Sequence, residues 1–114
     1  MYAPRKLAIQ TKVALGTAGV FTSEAQDGQK YVRLTGKVYS DQGGSLEVQE
    51  ADAIGDGTHV PGTFRTTSTI AVTAGATAVI DATLHCHFVR LKYTNGATAQ
   101  GTFELSGYLD PKGA

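Results

Sequence analysis

No stretch of a dozen residues in this chain keeps apolar side chains at helical i, i+3, i+4 spacing without a glycine or β-branched interruption, so strands are left to bury its apolar surface. Fourteen glycines are spread through 114 residues and punctuate short extended runs. In Tyr31-Val32-Arg33-Leu34-Thr35-Gly36-Lys37-Val38-Tyr39-Ser40, Val32, Leu34 and Val38 fall on one strand face and Arg33, Thr35 and Lys37 on the other. Asp41-Gln42-Gly43-Gly44 follows and Ser45-Leu46-Glu47-Val48-Gln49 resumes the alternation. That order predicts a hairpin in which the Asp41 side chain holds its own turn and Gly43 and Gly44 take positive φ.

From Glu50 to Gly62 there is little apolar periodicity, which predicts a long loop at one end of the domain. Thr63 to Val72 is strand-like through Phe64, Ile70 and Val72, and Ala74-Gly75 turns the chain before Ala78, Ile80, Ala82 and Leu84 alternate. Phe88 to Tyr93 places Val89, Leu91 and Tyr93 inward. Asn95-Gly96 predicts a type I′ turn, and Phe103 and Leu105 close the pattern. The expected fold is all-β: a single-domain, jelly-roll-like β-sandwich of about seven or eight short antiparallel strands with an extended N-terminal arm. Residues 1–20 form the arm with an edge strand, residues 21–109 the sandwich, and residues 110–114 a flexible tail.

Ten Lys and Arg balance ten Asp and Glu, so no global field draws in nucleic acid, whose binding rests on phosphate neutralisation. The apolar run Leu7-Ala8-Ile9 is cut by Gln10, Thr11 and Lys12, too short for a signal-peptide core or a membrane span. Neither a nucleic-acid nor a membrane partner is expected, and the chain reads as cytosolically made and soluble. Cys86 is the only cysteine, so no intramolecular disulfide framework exists. The charge is nevertheless uneven: residues 1–40 carry six basic and two acidic side chains, and residues 41–60 carry none and five. That asymmetry fits solvated polarity or complementarity between surfaces.

His85-Cys86-His87 is the one cluster of metal-ligand types, and on a strand the two histidines share a face, as a metal clip requires. His59 and Asp81 have no recognisable ligand spacing to them, so no metal or other cofactor is expected; the histidines read instead as lying at a strand end or a subunit contact. Asp52 and Asp56 miss the spacing of a calcium loop. No nucleophile elbow, triad context or phosphate loop is present, and an enzyme is not expected. Tyr2, Tyr31, Tyr39 and Tyr108 are the candidate rings for stacking on sugars, in a chain without Trp.

The stretches Arg33 to Leu46 and Val89 to Phe103 resemble a small β-sandwich family of tailed-bacteriophage structural proteins. The matching residues are Ser40-Asp41-Gln42 with Gly44 and Leu46, then Asp56-Gly57, Val72-Thr73-Ala74-Gly75, and Arg90, Tyr93, Asn95, Gly96, Gln100 and Phe103. The likeness runs from about Val32 to Leu105 and departs where a Trp often follows the acidic loop and this chain has His59-Val60-Pro61. The motif residues Asp41, Gly43, Gly44, Asn95 and Gly96 speak for the fold more than for the task. The resemblance implies a virion structural protein: a capsid decoration (cement) protein on the outer surface of the phage head, a homotrimer bound to the major capsid protein. Its alternative is a receptor- or carbohydrate-binding module of a tail, baseplate or head fibre. Expected contacts to capsid or neighbouring subunits are Pro4, Arg5 and Lys6 in the basic arm and Asp52, Asp56 and His59 in the acidic loop.

Overall fold

The computed structural model describes residues 5–28, 31–54 and 60–111; Tyr2, Pro4, Asp56, His59 and the tail from residue 112 lie outside the described residues. Eleven strands are found among the described residues: β1 (Lys6–Thr11), β2 (Val20–Thr22), β3 (Gln26–Asp27), β4 (Tyr31–Ser40), β5 (Gly44–Ala51), β6 (Ala53–Ile54), β7 (Val60–Pro61), β8 (Arg65–Val72), β9 (Ala76–Thr83), β10 (Phe88–Asn95) and β11 (Phe103–Pro111). Eight of them run in order through two sheets, β1-β11-β4-β9 and β2-β10-β5-β8, and β3 makes the second sheet five-stranded. All pairings are antiparallel, and β1 pairs β11, β2 pairs β10, β4 pairs β9 and β5 pairs β8. This nesting of first with last is one long hairpin rolled into a sandwich, which is the jelly roll. The remaining three strands have only two residues each: β3 also pairs β10, and β6 pairs β7 inside the expected loop at 50–62. Two-residue strands carry no alternation, so the sequence does not show them.

The core lies between the sheets. Leu34, Val38, Leu46, Val48, Leu91, Tyr93, Phe103, Leu105 and Leu109 are all at most 1% exposed, and the ring centroids of Tyr93 and Phe103 are 4.7 Å apart. β1 lies within the expected arm; it is an edge strand of the first sheet, with Ile9 buried in the core. At the other end β11 continues through Pro111. Among the described residues no helix is long and apolar enough to cross a membrane.

Three local expectations are corrected. β4 and β5 belong to different sheets, as do β10 and β11, so neither Asp41–Gly43 nor Asn95-Gly96 closes a hairpin. Alternation tells which side chains face the core, not whether consecutive strands pair edge to edge or face each other across it. Among the described glycines only Gly36 and Gly75 have positive φ, so Gly43, Gly44 and Gly96 serve close approach instead. Val32 is exposed, not inward: Tyr31 pairs Pro111 while Arg33 pairs Asp110, and the bulge turns Val32 out of register.

Candidate functional site

The outer face of the β1-β11-β4-β9 sheet holds an open groove of about 480 Å³. Gly36 backbone in β4 forms part of its floor; Gly107, directly opposite in β11, faces the core, where a Cβ would meet Ile9 and Leu91 at 3.3 Å. A Cβ on Gly36 would collide with the Ser106 carbonyl, which fixes glycine there. The walls are the outward residues of four strands or their flanks: Arg5, Thr35, Lys37, Val79, Asp81 and Tyr108.

Arg5 sits just before β1 and organises one wall. Its Nε donates to Asp110 Oδ1 at 3.0 Å, its Nη2 donates to Thr35 Oγ1 at 2.7 Å, and the Thr35 hydroxyl donates in turn to Asp110 Oδ2 at 3.0 Å. The guanidinium also lies 4.0 Å from the centroid of the Tyr108 ring. On the opposite wall Arg33 Nε is 3.1 Å from Asp81 Oδ1. Lys37 stands between the walls with no ion pair among the described residues, and a smaller hollow lined by Lys37, Tyr39, Thr77, Glu104 and Ser106 extends the groove. Such a face offers fixed charges, hydroxyls and one ring to a ligand that lies across it.

Of the contact residues expected from sequence, the structure places Arg5 in this groove. Lys6 begins β1 opposite Leu109 and is exposed. Asp52 follows β5 and lines a separate cleft with Gly28, Tyr31 and residues 84–87; its carbonyl accepts from the Gly62 N–H at 2.8 Å. The structure does not bring Asp52 to Arg5 and Lys6 in one site.

The motif residues converge at a corner between the sheets. Asp41 accepts from the N–H groups of Gly101 and Thr102 at 3.0 to 3.1 Å, not from its own turn. The Gly43 carbonyl accepts from Gly96 N–H at 3.1 Å, and a Cβ on Gly44 would overlap the Tyr93 hydroxyl. Asn95 is buried and its Nδ2 donates to the carbonyls of Gly16 at 2.8 Å and Thr98 at 2.9 Å. These groups hold loops together.

At the opposite end, Asp52, His85, Cys86 and His87 line a shallow cleft with Gly28 and Tyr31. Residues 84–87 form a bend outside any strand, so the same-face geometry expected of His85 and His87 does not apply. His87 Nε2 lies 3.5 Å from Asp27 Oδ1, and His85 is exposed. Among the described residues no group of three His, Cys, Asp or Glu could hold a metal ion. Burial, reinforced by Asp52, pushes the Cys86 thiol above its ordinary pKa, which disfavours the nucleophilic thiolate. The bend is held by buried Glu50, whose Oε1 accepts from the N–H groups of His85 at 2.6 Å and Cys86 at 3.0 Å while Oε2 accepts from the Thr67 hydroxyl.

A family model described as "Uncharacterised protein YqxG N-terminal domain" matches residues 2–109. No curated protein matches the chain. Among solved structures, the PBSX exported protein XepA superposes with a TM-score of 0.80 at 23% identity over 97% of this chain. The chain spans 38% of the length of XepA. PirA superposes with a TM-score of 0.60 at 11% identity, over 88% of this chain and 92% of its own. At these identities the likeness is one of fold.

Proposed function

This chain belongs to the YqxG N-terminal domain family, and from that premise we propose that it is a binding domain of a phage-related particle, acting by attachment and not by turnover. The observation that carries the reading is the groove over Gly36, open along its length and set with Arg5, Lys37, Asp81 and Tyr108. An open sheet face of mixed charge suits a large partner that lies across it, whereas a small substrate calls for enclosure. The phage context is supported by the sequence motifs and by the fold shared with the phage-related exported protein XepA.

In its finer form the reading is a capsid decoration protein that sits on the outer surface of the head and contacts the major capsid protein across capsomer boundaries. A ligand that prefers the assembled lattice to separated capsomers stabilises the lattice by that difference in affinity. Residues 6–11 are committed to β11, so the contact falls to the groove face and not to a free-standing arm. The test is to mix the purified chain with heads lacking it, pellet the heads and count bound copies. Saturable binding at a lattice-like stoichiometry supports the reading, and absence of binding overturns it.

A second reading, a glycan-binding module of a tail, baseplate or head fibre, is favoured by one observation: the Tyr108 ring shares the groove with the Thr35 hydroxyl and the Asp81 carboxylate. Retention of the chain on host cell-wall polysaccharide, with none on heads, would select it.

A further inference from the structure

Most charges on the outer face of the β1-β11-β4-β9 sheet are matched within the chain. Arg5 pairs with Asp110, Arg33 with Asp81, and Lys12 Nζ lies 3.5 Å from Glu104 Oε1. Of the charged side chains that line the groove and its smaller extension, Arg5, Asp81 and Glu104 therefore each have a partner of opposite sign, and Lys37 has none among the described residues. Its place is central. Lys37 and Ser106 line both hollows, and the strand register sets them directly opposite each other, with Val79 on the other side of Lys37. The wall beside them is preformed: Arg5 is held by Asp110, the Thr35 hydroxyl and the Tyr108 ring, and that hydroxyl is itself engaged by Arg5 and Asp110.

We propose that Lys37 and Ser106 receive one isolated carboxylate, the Asp or Glu side chain of a protein partner, with the ammonium supplying the charge and the hydroxyl a hydrogen bond. This rests on the reading of the groove as the attachment surface and names the chemistry that the partner brings to it. One unmatched cation suits a monoanion, whereas a phosphate monoester carries about −1.5 to −2. A run of negative charge is disfavoured, because Asp81 and Glu104 line the same hollows as Lys37 and Asp110 stands at the rim beside Arg5. A nucleic acid or another polyanion laid across the face would meet these carboxylates on either side of the one free ammonium. Val79, 70% exposed next to Lys37, supplies the apolar surface whose covering by the partner excludes water from the ion pair and strengthens it.

The test compares the parent chain with Lys37→Gln and Lys37→Arg for binding to phage heads lacking the protein, over a range of salt concentrations. The bound parent is also treated with a water-soluble carbodiimide, which joins an amine to a neighbouring carboxylate as an amide. The expected result is saturable binding by the parent, binding by K37Q weaker by about tenfold or more and less dependent on salt, and recovery of most of that loss in K37R. A cross-linked peptide joins Lys37 to an Asp or Glu of the head, and both variants unfold at the parent's temperature. Equal binding by K37Q and the parent, or a bound complex without a Lys37 cross-link, overturns the proposal and leaves the attachment reading standing. Absence of parent binding to heads overturns both, and retention of the parent on a sulfated polysaccharide with none on heads assigns the face to a polyanion instead.

Discussion

Arg5 and Asp110 are clamped together at 3.0 Å, so that the two ends of the described chain meet at the rim of the groove. The clamp sits on a strand that is itself anchored by Ile9, which is 4% exposed. Two kinds of contribution can therefore be separated. The Arg5 side chain is about half exposed, and its ion pair contributes under about 1 kcal/mol, whereas truncating a buried isoleucine costs about 2–5 kcal/mol. Ile9→Ala should lower the denaturation midpoint far more than Arg5→Ala in urea unfolding. Equal effects would contradict the docking of β1.

The glycine floor makes a second expectation. Gly36→Ala must push a methyl into the Ser106 carbonyl, and Gly16→Ala meets nothing within 4 Å. The first substitution should cost at least about 1–3 kcal/mol and the second less than about 0.5 kcal/mol. Thermal unfolding of the two variants side by side checks the order.

Those glycines also show how far the sequence could be read. Alternation correctly places Leu34, Val38, Val89, Leu91, Tyr93, Phe103 and Leu105 inward, because a half-buried strand has no other way to arrange its side chains. It does not choose partners. Asp41 looks like a local turn residue, yet its acceptors serve Gly101 and Thr102, sixty residues away, and nothing in a period-two pattern encodes that pairing. The groove was legible only in one piece, Arg5 as part of a basic arm. Thr35, Lys37, Asp81 and Tyr108 come from three strands whose adjacency follows from the rolled topology alone.

Glu50 supplies a third expectation. It is 2% exposed and accepts from two backbone N–H groups at the bend of residues 84–87 and from the Thr67 hydroxyl of β8. Glu50→Ala takes the acceptor from those donors, at a cost of about 1–3 kcal/mol, and frees the bend. Amide hydrogen exchange should accelerate at His85 and Cys86 first, and unchanged protection there would refute the assignment.

Acid sensitivity should be traceable to Glu47. The Thr66 hydroxyl that donates to its carboxylate holds the Glu47 pKa below its ordinary value, helped by Gln49 and Lys92 against opposing burial. A folded-state pKa depressed in this way adds stability above the ordinary carboxylate pKa, which is lost as pH falls through the depressed value. In a Thr66→Ala variant the Glu47 titration, followed by NMR, should move upward. The stability gap between parent and variant should narrow on acidification, and a Glu47 titration that stays in place would show that the hydroxyl has no such part.

The central claim is that the outer face of the β1-β11-β4-β9 sheet is the attachment surface, and Lys37 gives the most direct access to it. It lies in the groove, is exposed and makes no ion pair among the described residues, so Lys37→Glu should leave folding within about 0.5 kcal/mol while reversing the charge offered to a partner. Counting copies bound per head for parent and variant, at equal concentration and fixed salt, is the deciding measurement. The account predicts saturable binding by the parent and its loss in the folded K37E variant; undiminished binding by K37E would contradict it.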